Sequence, residues 1–490
     1  MTQAVVMSWT IVGVEGVPVE VQADVSSGLP GFSIVGLGDA AVLEARERVR
    51  AAIRAAGFDF PNARVTVNLA PAPLRKHGTG FDLPIALALL VATGQVPASV
   101  CCATAVGELS LDGSVRGVPG LLADALAAAR AGRPLLLAHE TLGVVRAVPG
   151  LSARPVRALG ALRGGLPDAV VAADAPWRDH TVPDLSEVRG QASARRALEL
   201  AAAGELNLLF IGPPGAGKTM LARRLAGILP PLTDSERLET AVIHSVAGVD
   251  IEPVLAGVRP FRAPHHTASA AGLVGGGSPP RPGEASLAHH GVLFLDEIAE
   301  FAPAALQALR QPLEDGCLTL VRAEGRVSYP ARFALVAAMN PCPCGFLGDT
   351  QRACTCSPAA LERYRVRLGG PLMDRMDMTL RIDRIPPGSL LESGGGEESR
   401  VVRDRVERAR AFALERGGVS RQLSGATLLR ACALDGRTQS VVERVACAHR
   451  LSGRGVTRLL RVARTIADRV CAARVQEEHV LEAACYRVLQ

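Results

Sequence analysis

The sequence predicts an α/β protein in three parts, and three observations carry that prediction. Residues 1 to 170 alternate short β-branched runs with alanine-rich helical stretches. Residues 184 to 385 contain an apolar strand that feeds a glycine loop, followed by two further apolar strands. Residues 386 to 490 open on a loop and then show helical periodicity with almost no strand signal. A chain of 490 residues fits about three domains. With 48% hydrophobic and 21% charged residues, a largely disordered chain is excluded.

In the first part, Val17 to Val25, Arg64 to Leu69 and Leu135 to Ala138 read as strands, and Ala40 to Ala56 and Leu121 to Ala131 as helices. The longest apolar stretch, Leu83 to Val96, contains Pro84 and Gly94. It falls short of the roughly 18 residues that a membrane-spanning helix needs. The N-terminus has no basic segment ahead of an apolar run, so a soluble, cytoplasmic protein with no membrane partner is expected. A Pro/Gly/Asp-rich passage, Gly160 to Pro183, reads as connection, with residues 171 to 183 as the linker proper.

The second part carries the chemistry. Asn207 to Thr219 reads NLLFIGPPGAGKT, a strand running into the loop Gly212, Pro213, Pro214, Gly215, Ala216, Gly217, Lys218 and Thr219. Glycines let backbone N–H groups converge on the phosphates of ATP, Lys218 adds a point charge, and the Thr219 hydroxyl suits a Mg²⁺ ion at a helix N-terminus. Lysine is rare here: only Lys76 and Lys218 stand among 54 basic residues, so each marks a position where a compact ammonium is wanted. Some eighty residues on, Val292 to Glu297 reads VLFLDE, a buried strand ending in two carboxylates. Asp296 would complete the Mg²⁺ shell and Glu297 would polarise the attacking water. Asn340 follows a third apolar strand, Phe333 to Met339, where it would orient the same water.

The third part is basic. From Arg400 onward there are 18 arginines against 9 acidic residues, a net +9, which leaves −3 of the total +6 for the rest of the chain. That excess fits either a solvated helical surface or one that contacts phosphates. Cys342, Cys344, Cys354 and Cys356 form CxC-x9-CxC, which fits a tetrahedral zinc site or a loop of reduced, metal-free cysteines. The other seven of the 11 cysteines lie in apolar or helical contexts and read as small core residues.

Together these motifs resemble the YifB/ComM family, a magnesium-chelatase-like branch of the AAA+ ATPases. The stretches that carry the resemblance are DLSEVRGQ (Asp184 to Gln191), GPPGAGKT, FRAPHHTASAAGLVGGG (Phe261 to Gly277), PGEASLAHHGVLFLDE (Pro282 to Glu297), AAMNPCPCG (Ala337 to Gly345), GPLMDRMD (Gly370 to Asp377) and RVARTIAD (Arg461 to Asp468). The resemblance implies a P-loop AAA+ domain, a C-terminal all-α lid over residues 386 to 490, and a homo-oligomeric ring, hexameric in this reading. It also implies that Arg375 acts as an arginine finger on a neighbour's γ-phosphate and that Arg454 reports nucleotide state. Phe261 to Pro282 becomes a helix-2 insert, and Leu318 to Arg332 a hairpin with Glu324 and Gly325 at its turn. Arg322 and Arg326 near that tip either touch a DNA backbone or form a solvated end. The histidine pairs 265/266 and 289/290 belong to the insert pattern and lack the spacing of a known metal set.

The N-terminal part resembles the ChlI-type, Lon-protease-like domain, with a ribosomal S5 domain 2-like α+β fold. Where the protease dyad would stand, the turn Gly78-Thr79-Gly80-Phe81 has glycine in the serine's place, and Leu122 takes the lysine position. Proteolysis is therefore not expected. Arg75, Lys76 and His77 beside that turn are the candidate DNA patch. The function implied is an ATP-driven motor on branched or single-stranded DNA that promotes branch migration in recombination or natural transformation. A chelatase-like or chaperone-like ATPase remodelling a protein partner is the alternative. With only 3% aromatic residues, a DNA grip has to be electrostatic.

Overall fold

The computed structural model describes residues 3–170, 180–322, 325–349, 351–367, 370–385 and 396–487. The first part is built on a seven-stranded sheet. In spatial order its strands are Gly31–Val35, Arg64–Ala70, Glu15–Ser26, Gln3–Val12, Thr104–Ala105, Leu135–Ala138 and Ala153–Val156. Val19, Val21 and Ala23 alternate inward along one strand, as a period of 2 requires, and pack with the helix Asp82–Ala92, against which the helix Ala40–Ala55 lies in turn. The helix Asp82–Ala92 is buried on every side, which accounts for the long apolar stretch. Its one charge, Asp82, accepts two hydrogen bonds from Arg48, at 2.6 and 2.9 Å. Among the described residues, no helix is long and apolar enough to cross a membrane. The passage Gly160 to Pro183 is not all connection. A 3-10 turn over Leu159–Gly164 buries Leu159 and Leu162 in the first core. Most of residues 171 to 183, the linker proper, lie outside the described residues.

The second part is a five-stranded parallel sheet in the order Phe261–Arg262, Val292–Leu295, Ala334–Met339, Leu208–Ile211 and Met378–Arg381. Each of its three central strands is buried along its whole length, which explains the continuous runs LLFI, VLFL and ALVAAM. Phe261 and Arg262, read above as the start of the insert, are instead the edge strand of this sheet. Because all five strands run the same way, the glycine loop, Asp296 and Asn340 leave the sheet at one edge.

The third part is the helices Ser399–Glu415, Gly425–Cys432, Gly436–Ala448, Gly453–Arg469 and Glu477–Cys485, of which the first and fourth pack on helix Ala192–Gly204 of the second part, the first also on helix Lys218–Ile228. Val402, Val406, Ala409 and Ala413 form the inward stripe of the first. Much of the arginine excess faces the protein itself. Arg405 and Arg469 both pair with Glu199, at 2.9 and 2.8 Å, and Arg410 donates to the Ala202 carbonyl. Arg464 is fully buried and pairs with Asp468. A third reading, ionic stitching between parts, therefore joins the two given by composition. Among the seven outlying cysteines only Cys432 is buried, and Cys102, Cys447, Cys471 and Cys485 are exposed. Helical context does not say which face a residue occupies, and several of these fall on the outer one.

The first and second parts share an apolar core. Helix Leu121–Arg130 packs on helix Asp234–Ala247, and the Gly120 N–H donates to the Ser245 carbonyl at 2.9 Å. Leu122, at the position a Lon-type lysine would hold, is buried in this contact. Two residues on, Asp124 is almost fully buried and its Oδ1 has no hydrogen-bond partner. Burial raises its carboxyl to about 8. The unfolded chain releases this proton near pH 4 and the folded chain keeps it, so stability falls as pH rises from about 4 to 8. Asp124→Asn should flatten that slope and raise the melting temperature at pH 8; an unchanged melting curve across pH 5 to 9 would refute it.

Candidate functional site

The phosphate-loop strand Leu208–Ile211 ends against the strand Met378–Arg381, and the chain then turns in the narrow space that is left. A Cβ on Gly212 would lie 2.2 Å from the Ile382 carbonyl oxygen, so only glycine fits. Gly215 and Gly217 take φ of +79° and +85°, which curls the loop around a hollow at the N-terminus of helix Lys218–Ile228. Pro214, Gly215, Ala216, Gly217, Lys218, Thr219, Asp296, Glu297 and Asn340 line one pocket there.

Inside it the polar groups converge. Lys218 Nζ donates to the carbonyls of Gly212 and Pro213 at 2.6 and 3.0 Å and to Asn340 Oδ1 at 3.2 Å. Burial lowers its pKa, while Asp296 and Glu297 oppose that shift. The Thr219 hydroxyl donates to Asp296 Oδ2 at 2.6 Å. That hydroxyl and carboxylate, side by side at the glycine loop, form the oxygen donor set a Mg²⁺ ion takes beside phosphates. Glu297 sits next to Asp296 with φ +50°, a left-handed backbone that is costly for glutamate.

Several contacts here were not read from the sequence. His266 Nδ1 lies 3.6 Å from Glu297 Oε2, so the insert reaches the candidate catalytic carboxylate. Gln191, in DLSEVRGQ, donates to the Ala216 carbonyl at 3.0 Å and pins the glycine loop from outside. The Tyr364 hydroxyl donates to the Asn340 carbonyl at 3.0 Å. None of these has a local motif. The segments containing Gln191 and His266 stood out only through the resemblance, and Tyr364 carried no signal.

Arg375 and Arg454 are not in the phosphate pocket. They line a second cleft with Asn207, Asp374, Asp377, Arg421 and Arg458. Asn207 and Asp377 begin strands whose far ends flank the glycine loop, so this cleft is at the opposite edge of the sheet, about 13 Å away across four residues. Asn207 holds that edge together: its Nδ2 donates to the Arg375 carbonyl at 2.9 Å, and its Oδ1 accepts from the Leu335 N–H at 3.1 Å. The Arg375 guanidinium pairs with Glu314, and Arg454, largely exposed, lies 3.8 Å from Asp374.

Lys76, offered above for DNA contact, is fully buried, and its Nζ donates to the Pro71 carbonyl. It serves the loop's own fold, because a buried ammonium held by a carbonyl cannot meet a phosphate. Residues 317–322 and 325–330 form the expected hairpin, but Gly325 pairs with Arg322 and so ends a strand. Glu324 lies outside the described residues. Arg326 is exposed, and the buried Tyr329 ties the hairpin to the insert by donating to the Pro280 carbonyl at 2.9 Å.

Glu239, His289 and His290 also cluster, with Glu239 Oε2 3.4 and 3.1 Å from the two Nε2 atoms. His289 Nδ1 accepts the Arg332 N–H at 2.9 Å, which leaves its proton on Nε2. In that tautomer Nε2 cannot ligate a metal, and the cluster is a polar contact in which His290 Nε2 hydrogen-bonds Glu239 at 3.1 Å.

The four loop cysteines do converge. Cys342 Sγ lies 3.3 and 3.7 Å from the sulfurs of Cys344 and Cys354, and Cys344 lies 3.6 Å from Cys354. All four sulfurs fall within 4.8 Å of one another. Tetrahedral zinc at about 2.3 Å from each sulfur would separate them by about 3.8 Å, so the set fits. Backbone N–H groups of Thr355 and Phe346 hold the Cys344 thiol low, at about 5.

Comparison with known proteins agrees with this architecture. The magnesium chelatase subunit ChlI family matches residues 184–390, the ChlI subunit family of Mg-chelatase residues 21–141, and the ChlI C-terminal family residues 396–487. The chain is 43% identical over 497 residues to the uncharacterised protein YifB of Salmonella typhimurium, covering all of this chain and 98% of that one. It is 42% identical over 501 residues to the competence protein ComM of Haemophilus influenzae, with the same coverage. An uncharacterised protein of Mycobacterium tuberculosis is 45% identical over 471 residues, 93% of each chain.

Proposed function

The chain belongs to the YifB/ComM family of magnesium-chelatase-like AAA+ ATPases, and from that premise we propose that it is an ATP-hydrolysing ring motor acting on DNA. The observation that carries the ATPase is the Thr219 hydroxyl against Asp296 at 2.6 Å, beside Lys218 on the glycine loop. Thr219 and Asp296 hold Mg²⁺, Lys218 and the loop amides hold the phosphates, Glu297 polarises water, and Asn340 orients it.

Arg375 lies at the sheet edge away from its own glycine loop, so in this reading it acts on the next subunit's γ-phosphate, with Arg454 beside it reporting that subunit's nucleotide. A closed ring, hexameric in this proposal, supplies such an edge-to-loop contact at every interface. Residues 1–170 are a ChlI-type domain without a protease dyad, 171–183 a linker, 184–385 the ATPase core and 386–490 the helical lid. A structural zinc in the four-cysteine knuckle belongs to the same reading. DNA is supported by the competence role in the ComM relative's name and by exposed basic groups such as Arg326 and Arg454. The specific proposal is branch migration in recombination or natural transformation.

The test is steady-state ATP hydrolysis with and without forked or three-stranded DNA across a salt series. Stimulation that fades as salt rises is expected, because phosphate contacts release counterions. Turnover indifferent to every DNA would move the reading to an ATPase that remodels a protein partner.

A further inference from the structure

The four-cysteine knuckle lies against the phosphate loop. Asn340 ends the strand Ala334–Met339, and Cys342 follows two residues later, so the knuckle starts where the nucleotide pocket stops. Gly345, at φ +85°, closes its first turn, with its N–H donating to the Cys342 carbonyl at 2.9 Å. The Gly345 backbone rests directly on Pro214 of the glycine loop: a Cβ there would lie 2.7 Å from Pro214 Cδ and 3.9 Å from Asn340 Cγ. On the far side, Arg381, at the end of the neighbouring strand, donates to the Gly348 and Leu347 carbonyls at 2.6 and 3.1 Å.

Residues 342–349 and 351–356 contain no helix or strand, so no backbone ladder holds this segment in shape. Its two ends meet in the sulfur cluster, in which the Cys344 N–H points at Cys356 Sγ at 3.4 Å and the Cys356 N–H at Cys354 Sγ at 3.5 Å, and the Arg352 guanidinium lies over the Phe346 ring, 4.3 Å from its centroid. A loop without secondary structure can serve as a wall only if something else fixes it, and four thiolates on one zinc ion would do so. We propose that Cys342, Cys344, Cys354 and Cys356 hold one zinc ion that braces Gly345 against Pro214, making nucleotide binding and turnover depend on a metal that never touches the nucleotide. The inference rests on the reading of the glycine loop as the ATP site. The four cysteines close the metal's coordination, so zinc acts here through position alone.

The test uses the full-length protein. Metal analysis should find one zinc per chain, and Cys354→Ser with Cys356→Ser should lose it together with at least tenfold of ATP turnover. Because that variant risks misfolding, Gly345→Ala is the second arm. Its methyl should press on Pro214 and weaken binding of a fluorescent ATP analogue at least fivefold, with zinc content and the far-ultraviolet circular dichroism kept. In cobalt-substituted protein, the thiolate–cobalt bands should shift when ATP is added, and should not shift in Lys218→Ala.

Wild-type protein without zinc would overturn the proposal. So would zinc-loaded protein in which metal removal, Gly345→Ala and the cobalt spectrum all leave nucleotide binding uncoupled. Failure of the wild type to bind ATP at all is separately visible: it would overturn the ATP-site reading and this inference with it.

Discussion

Glu297→Gln should bind ATP as the wild type does and hydrolyse it about 10²- to 10⁴-fold more slowly, the range spanned by removal of a general base. The amide is isosteric, so the pocket keeps its shape, and Asp296 still accepts from Thr219 and still serves Mg²⁺. What disappears is the second carboxylate of the pocket, held on a strained left-handed backbone. Filter-retained radiolabelled ATP alongside a phosphate-release assay distinguishes the outcomes. Retention without release is expected, and normal release would remove Glu297 from the mechanism.

Lys218→Ala should leave no nucleotide binding measurable at micromolar concentrations. Lys218 is one of only two lysines in the chain and does two jobs at once. It brings a positive charge to a pocket that also holds Asp296 and Glu297, and it ties the Gly212 and Pro213 carbonyls to Asn340. Charge-assisted hydrogen bonds contribute about 1.5–3 kcal/mol each, so losing the ammonium removes both affinity and the loop's internal brace. Titration with a fluorescent ATP analogue, with a thermal melt to show the fold is kept, measures this. Micromolar binding by the folded variant would refute the assignment.

The difference between the two variants tests the division of labour. Lys218 acts before chemistry and Glu297 during it, so one should lose the complex and the other should accumulate it. A pair of variants that both lost binding would instead mean that the two carboxylates and the loop form a single structural unit.

The candidate phosphate site was legible in the sequence because its parts are local. A glycine loop between a strand and a helix has few other uses, and VLFLDE announces a buried strand by its unbroken apolar run. Three of the seven strands of the first part's sheet and the helices Ala40–Ala55 and Leu121–Arg130 were legible for the same reason, since periodicity is a property of neighbours along the chain, whereas the wholly buried helix Asp82–Ala92 shows no such period. Lys76 was misread because rarity marks a position as special without saying whether the special environment is solvent or core. The outlying cysteines were misread because helical context does not reveal which face they occupy.

By itself, then, the sequence determined the chemistry available: the glycine loop, the two carboxylates and the four thiols. Only the tertiary structure decided how those groups relate in space. The parallel sheet sends Asn340 and Asp296 out beside the glycine loop and leaves Arg375 and Arg454 at the opposite edge. It also turns Leu122 into a contact between parts, folds many C-terminal arginines onto acidic partners, and brings Gly345 against Pro214. Local patterns record what each segment prefers, whereas these juxtapositions join residues tens to hundreds of positions apart, and only packing in three dimensions fixes them.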